Sequence, residues 1–280
     1  MRNHSLLRPT LVSAALTVLF CSSPVDPAAA AEIPSYYKQL IAQGNVEFEF
    51  YDPRVERRRY PGQALFLLYV DHRYQFRFDT IDHDGEQYLK IRPGMQKVEC
   101  RVDHTVRLPD QFDSDHRWNH WLVAHEFDHV AISSDPRPIK LVEHLLKRLR
   151  LIRRAVDPTH SIDVQFVDRI VNEEIVKRRD SVQRLIQSNY DLLDEVTGHG
   201  MRPIPNREAF FTSLYARANL EQMQFPYTTE VSSLLSDRTY RNAKLHYEFA
   251  ADHNNGSPIA ASMATAAQGW LRWLSEPASK

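Results

Sequence analysis

The stretch Trp118–Asp135, WNHWLVAHEFDHVAISSD, contains an H-E-x-x-H pattern at residues 125–129. Residues four positions apart lie on one face of an α-helix, so His125 and His129 can direct their imidazole nitrogens towards one point. Glu126 lies about 100° around such a helix from the first histidine, within reach of a water molecule beside that point. Tryptophan, leucine and isoleucine side chains fall on the same arc as the histidines. The stretch therefore predicts a buried amphipathic helix that carries two imidazoles into the core.

The composition places few limits on the fold but argues against two classes of partner. The chain has 280 residues, of which 42% are hydrophobic, and a formal net charge of −1. This size suits one globular domain or two closely packed subdomains. A near-neutral chain has no overall electrostatic bias towards nucleic acid or anionic membranes, so we expect neither as a partner.

The N-terminus has the organisation of a secretory signal peptide. A basic start is followed by an apolar run over residues 11–21 and by the small-residue tract PAAAA at 27–31. The run is too short to span a bilayer, and the tract predicts cleavage near Ala31. We therefore expect residues 1–31 to be removed from a secreted or periplasmic protein, a retained membrane anchor being the alternative. The mature chain would have one cysteine, no intrachain disulfide and no membrane span.

The remaining chain predicts an α+β fold whose strands precede its helices. Apolar residues alternate with polar ones through much of residues 46–109, which favours four to six antiparallel strands. From residue 113 the apolar spacing becomes helical. We expect an N-terminal antiparallel β-sheet followed by a helical zincin-like subdomain, together forming a domain over residues 32–200. Residues 201–280 would form a helical C-terminal region packed on that domain.

Caps and breakers give the approximate bounds of the helices. Asp113 or Ser114 can cap the helix that contains the histidines, which should stop at residues 133–136. Gly198 and Gly200 mark the end of a long helix. The other predicted helices cover residues 136–154, 162–196, 207–223, 237–252 and 259–274.

A catalytic zinc site has three protein ligands and an open position for water, so the histidine pair needs a third ligand. Asp135 lies at the spacing of the last ligand in an extended H-E-x-x-H pattern, but Ile132 occupies the position of the glycine that turns the chain there. Asp135 before Pro136 also fits a helix cap. Glu173 or Glu174 on the long helix is another candidate, although two glutamates in a charged helix also suit a surface. His199 lies between two glycines just beyond a helix end, where the backbone can turn freely.

Short motifs follow one another in a fixed order along residues 46–200: Cys100-Arg101-Val102, Leu108-Pro109, Trp118-Asn119, His125–His129, and then Asp194, Thr197, His199 and Gly200. This order resembles a bacterial family of secreted proteins of unknown function that are predicted zinc-dependent proteases. The resemblance implies that His199 is the third ligand. The chain departs from the family pattern at Leu193, where a tyrosine is expected, although Tyr190 lies one turn earlier.

The leading hypothesis is a secreted metallopeptidase of the H-E-x-x-H type that acts on proteins or peptides. His125, His129 and His199 would hold one zinc ion, and Glu126 would act as the general base. Asp194 is a candidate for orienting a ligand imidazole, or else an exposed acid at a helix end. Tyr190 could donate to an oxyanion or simply pack in the core. The alternatives are a non-catalytic module of the cell envelope stabilised by zinc, and hydrolysis of a cell-wall amide. The sequence does not indicate an oligomeric state.

Overall fold

The computed structural model describes residues 33–243, apart from positions 84, 158 and 160. The predicted signal peptide and the helix predicted over residues 259–274 lie outside the described residues. Within the described part the protein is a mixed α+β structure in which a sheet precedes most of the helices. No helix of that part combines the length and apolar character that crossing a membrane requires.

Two long strands form the centre of the sheet. Strand β2 (Gln63–His83) pairs antiparallel with β3 (Glu86–Pro109) from Gln63 opposite Arg107 to His83 opposite Glu86, with a bulge between Arg73 and Tyr74. The alternating stretches that predicted several short strands are thus parts of one long hairpin. Exposed residues alternate with buried or half-buried ones along β2 as far as Phe78, because successive side chains point to opposite faces of a sheet.

Two shorter strands pair with β3 on its other edge. Strand β1 (Val46–Tyr51) follows helix α1 (Ser35–Gly44) and runs parallel to β3, with Val46 opposite His104. The prediction of an entirely antiparallel sheet is therefore wrong at β1. Residues 52–62, here named the β1–β2 segment, cross the end of β3 and return the chain as β2 on the opposite side.

The fourth strand of the described sheet, β4 (Ile152–Ala155), lies where the sequence predicted the end of a helix. It pairs antiparallel with Tyr88–Ile91 of β3. Helix α3 (Pro136–Lys147) is consequently shorter than the predicted 136–154. Ile152 fits the helical apolar stripe but is buried opposite Ile91, so tertiary pairing overrides the local pattern.

Helix α2 (Trp121–Ser133) carries the H-E-x-x-H pattern. The predicted caps at Asp113 and Ser114 are wrong, because 3₁₀ turns occupy Asp110–Phe112 and Asp115–Asn119. The helix begins after His120, whose Nδ1 accepts a hydrogen bond from the N–H of Leu122. Every residue of α2 except Ala124 is buried, because the helix packs against α1, β2, β3 and the long helix that follows.

Helix α4 (Val164–Thr197) matches the predicted long helix closely. Asp163 caps its first turn, and Gly198 ends it in a left-handed conformation. The C-terminal region is more broken than predicted, since extended backbone at Ala216 divides the helix expected over residues 207–223. Its described helices are α5 (Arg207–Ser213), α6 (Arg217–Gln222), α7 (Ser232–Leu235) and α8 (Arg238–Arg241).

A buried ion pair ties the C-terminal region to α2. The guanidinium of Arg207 donates to both carboxylate oxygens of Asp128, with Nη1 at 2.7 Å from Oδ2, and also lies over the ring of Phe211. The side chains of Asp128 and Arg207 are 7% and 14% exposed. The pair attaches the start of α5 to the helix that bears the histidines.

We expect Arg207→Ala to destabilise the fold by about 3–5 kcal/mol, because it leaves the buried Asp128 carboxylate without its partner. Equilibrium denaturation in urea measures this loss. Arg154→Ala is the matched control, since Arg154 pairs with Glu173 at the surface and such pairs contribute at most about 1 kcal/mol. Equal effects of the two substitutions would contradict a structural role for the buried pair.

Candidate metal centre

Two imidazoles from α2 and one carboxylate from α4 meet at a single point. The Nε2 atoms of His125 and His129 each lie 3.1 Å from Oδ1 of Asp194. Both histidines are buried, and the Asp194 side chain is 29% exposed. Among the described residues these are the three side chains whose potential ligand atoms cluster, all within 4.8 Å of one another.

The spacing of these atoms fits a small divalent cation. Zinc binds histidine nitrogen and carboxylate oxygen at about 2.0–2.2 Å, so neighbouring ligand atoms in tetrahedral coordination lie roughly 3.3 Å apart. The nitrogen–oxygen distances in this cluster are close to that value. Two nitrogens and one oxygen are also a donor set that zinc commonly takes.

Electrostatics at the cluster favour the ionised carboxylate. Burial alone would raise the pKa of Asp194, but hydrogen bonds from His125 and His129 outweigh it and hold that pKa well below its usual range. For His125, burial dominates and lowers the pKa. For His129, burial also lowers the pKa, yet the bond to Asp194 and the charge of Glu126 reverse the outcome and raise it. Asp194 therefore has the ionised form that a metal ligand needs, whereas His129 would have to lose a proton before its nitrogen could bind a metal.

Each imidazole bonds to Asp194 through Nε2, and packing rather than hydrogen bonding surrounds its second nitrogen. Histidine ligands usually donate their second nitrogen to an acceptor, but Nδ1 of His125 and of His129 is buried with no hydrogen-bond partner among the described residues. A Cβ added at Gly200 would lie 2.7 Å from Cγ of His125, so the backbone is pressed against that ring. The ring of Tyr190 lies 4.5 Å from the ring of His129.

Glu126 lies beside the cluster in an apolar setting that changes its acidity. Its side chain is 3% exposed, and burial raises its pKa to about 7, although His129 and a hydrogen bond from the N–H of Ala64 act in the opposite direction. Gly62 approaches so closely that a Cβ there would overlap Oε1 of Glu126. A carboxyl group in this state can accept a proton and release it again near neutral pH.

His199 was predicted as the third ligand, but among the described residues the side chain that clusters with His125 and His129 is Asp194. The His199 ring stacks on Tyr60 with centroids 3.7 Å apart, and its Nδ1 lies 3.5 Å from Oδ2 of Asp194, whereas the two imidazoles meet Oδ1. The backbone conformation just after α4 explains where the His199 ring lies. Gly198, His199 and Gly200 all have positive φ, which turns the chain sharply just after the helix.

The motif residue Thr197 stabilises that turn. Its hydroxyl donates to the carbonyl of Leu193 and accepts a hydrogen bond from the N–H of Gly200, at 2.7 and 3.0 Å. The N–H groups of Gly198 and His199 both bond to the carbonyl of Asp194. These bonds fix Asp194 in the last turn of α4 and bring Gly200 against His125.

Tyr190 was a candidate donor to an oxyanion, but its hydroxyl is engaged elsewhere. It lies 2.7 Å from Oγ of Ser133, which also lies 2.5 Å from Nε2 of His104. Nδ1 of His104 in turn lies 2.5 Å from the carbonyl of Gly44. The sequence did not reveal this buried network. Because the network engages the hydroxyl, Tyr190 contributes only its ring to the site.

The other candidate ligands make different contacts. Asp135 caps α3 and forms a buried ion pair with Arg137, as the helix-cap interpretation requires. Glu173 pairs with Arg154 at the surface, and Glu174 pairs with Arg178 one turn along α4. None of these carboxylates lies in the histidine cluster.

The cluster opens onto a cavity of about 410 Å³. One wall is formed by the β1–β2 segment and the start of β2, and the opposite wall by α2 and the last turns of α4. Glu126, Asp194 and both histidines face this space, so a molecule in the cavity would contact the candidate metal centre directly. A cavity of this size lies within the usual range for ligand-binding sites.

Comparison with family models, with curated proteins and with solved structures finds no match to this chain. The function is therefore inferred from the geometry of the site.

We expect Asp194→Ala to lower zinc affinity by more than about 100-fold, beyond the range usual for groups that only orient a ligand. His199→Ala should lower it by no more than about tenfold, because the His199 ring approaches Oδ2 of Asp194 and not the oxygen that meets the two imidazoles. Competition against a chromogenic chelator measures both. An equal or larger loss in the His199 variant would restore His199 as the ligand.

We also expect Gly200→Ala to lower zinc affinity by about tenfold or more, because the added methyl group must displace the His125 ring. Gly85→Ala is the matched control: its φ of 79° is nearly that of Gly200 at 81°, but a Cβ there meets nothing within 4 Å. The two variants thus share the backbone strain and differ in the contact with the ligand. Equal zinc affinities in the two proteins would contradict the packing argument.

Proposed function

We propose that this protein is an exported zinc-dependent hydrolase that cleaves peptide bonds. One zinc ion would be held by His125, His129 and Asp194, and Glu126 would be the general base. The observation that carries the proposal is the juxtaposition of three ligand atoms with a buried glutamate at the wall of one cavity. The zincin-like interpretation of the helical region rests on the same arrangement.

The donor set and the residue beside it define the chemistry. A zinc ion in such a site supplies Lewis acidity, which lowers the pKa of a water molecule towards 7 and polarises a substrate carbonyl. Three protein ligands leave a coordination position open, as in catalytic rather than structural zinc sites. In this protein the open side would face the cavity.

Glu126 has the position and the setting for proton transfer. It adjoins His125 in the sequence, and its carboxyl group faces the same cavity without belonging to the ligand cluster. In the proposed reaction it accepts the proton of the attacking water and passes it to the leaving amine. The N–H of Ala64 and the close backbone of Gly62 hold the carboxyl group in place.

The cavity favours hydrolysis over the non-catalytic alternative. A zinc ion that only stabilises a fold is enclosed by four protein ligands and needs no base beside it. The cluster here has three candidate ligands, a neighbouring glutamate and about 410 Å³ of adjoining space. An exported peptidase would meet peptides of the cell envelope or its surroundings, and the export itself rests on residues 1–31.

We expect Glu126→Gln to retain one zinc ion per chain and to lose peptide hydrolysis by about 10²–10⁴-fold, the usual contribution of a positioned proton-transfer group. Metal analysis and cleavage of a peptide library measure the two properties. Glu173→Gln is the control, since Glu173 is exposed on α4 and lies outside the cavity lining.

The same assay separates the alternatives. Peptidoglycan fragments tested beside the peptide library would reveal a cell-wall amide as the substrate. If wild-type protein with one bound zinc hydrolyses neither kind of substrate, the proposed function is refuted. The non-catalytic, zinc-stabilised module of the cell envelope would then be the remaining hypothesis.

A further inference from the structure

Two arginines of the β1–β2 segment line the cavity, and they differ in their partners. Nε of Arg58 donates to Glu56 at 2.7 Å, and Nη1 donates to the side chain of Gln63 at 2.9 Å. Its guanidinium also lies over the ring of Tyr51, 4.9 Å from the centroid. The charge of Arg58 is therefore neutralised within the protein, and the side chain is held in place.

Among the residues that the structure describes, Arg59 has no such neutralising partner. Its side chain is exposed, and none of the described carboxylates lies within ion-pair distance of it. Its guanidinium lies over the neighbouring Tyr60 ring, 5.2 Å from the centroid. The fork of N–H donors is consequently available to a group that enters the cavity.

Contacts through Tyr60 connect Arg59 to the candidate metal centre. The Tyr60 ring stacks on the His199 ring with an angle of 23° between their planes, and His199 lies beside Asp194. Arg59, Tyr60 and His199 therefore form a series of contacts that ends beside the candidate metal ligand Asp194.

The charges along the cavity wall leave Arg59 uncompensated. Among the lining residues that the structure describes, the carboxylates are Glu126 and Asp194, and both belong to the site itself. Asp194 faces the two imidazoles, while Glu126 is buried beneath Gly62. A carboxylate on a bound molecule would therefore meet a cation at the rim and no opposing acid there.

We propose that Arg59 selects substrates that carry a carboxylate close to the scissile bond, so that the preferred substrate class is acidic peptides. The guanidinium would bind this carboxylate as a bidentate pair, in the geometry that arginine favours. This inference rests on the proposed function, because it assigns a substrate class to the same site. It makes Arg59 a residue that determines specificity rather than one that takes part in the reaction.

The experiment uses pairs of peptides that differ only by aspartate against asparagine at each position around the cleaved bond. Wild-type protein should prefer the aspartate member of at least one pair by about tenfold or more, the usual scale for a hydrogen bond to a charged group. Arg59→Ala should remove the preference, and Arg59→Glu should reverse it in favour of asparagine. Arg57→Ala is the control, since Arg57 is exposed on the same segment and does not line the cavity.

A second measurement reads the preference without hydrolysis. Fluorescent versions of the same peptides are titrated with zinc-loaded Glu126→Gln protein, with and without the Arg59 substitutions, and binding is followed by anisotropy. If no peptide is cleaved but binding still favours aspartate through Arg59, the proposed function fails and the assigned ligand class stands. Cleavage without a preference that depends on Arg59, or binding that Arg59 does not affect, overturns the inference.

Discussion

The structure depends on the meeting of one carboxylate oxygen with two imidazole nitrogens between α2 and the last turn of α4. Oδ1 of Asp194 lies 3.1 Å from both Nε2 atoms, a spacing that tolerates little movement of either helix. Because the three side chains belong to segments far apart in the sequence, the arrangement must be maintained by packing. The Asp194 side chain is half-buried, and hydrogen bonds from the two imidazoles stabilise its ionised carboxylate.

Close contacts of the backbone hold this arrangement from two sides. Gly200 presses on the His125 ring, and Gly62 presses on Glu126, so each glycine occupies a position with no room for a side chain. The ion pair between Asp128 and Arg207 attaches α2 to the C-terminal region. The residues proposed for hydrolysis thus lie on the helices α2 and α4. Arg59, the residue proposed for substrate selection, lies in the β1–β2 segment.

The sequence predicted the helices of the site but could not settle the ligand set. Four-residue spacing placed His125 and His129 on one helix face, and the glycines at 198 and 200 marked the end of α4. The choice between Asp194 and His199 depends on three consecutive left-handed residues, whose combined turn directs the His199 ring towards Tyr60. The pairing of β1 and β4 with β3 was also beyond local patterns, because strand partners are fixed by tertiary packing.

The most direct test of the ligand set is a crystal structure of the zinc-loaded protein with anomalous data collected at the zinc absorption edge. The account predicts one strong peak within about 2.0–2.2 Å of Nε2 of His125, Nε2 of His129 and a carboxylate oxygen of Asp194, with the remaining position open to the cavity. A peak coordinated by His199 in place of Asp194, or no peak between α2 and α4, would contradict it.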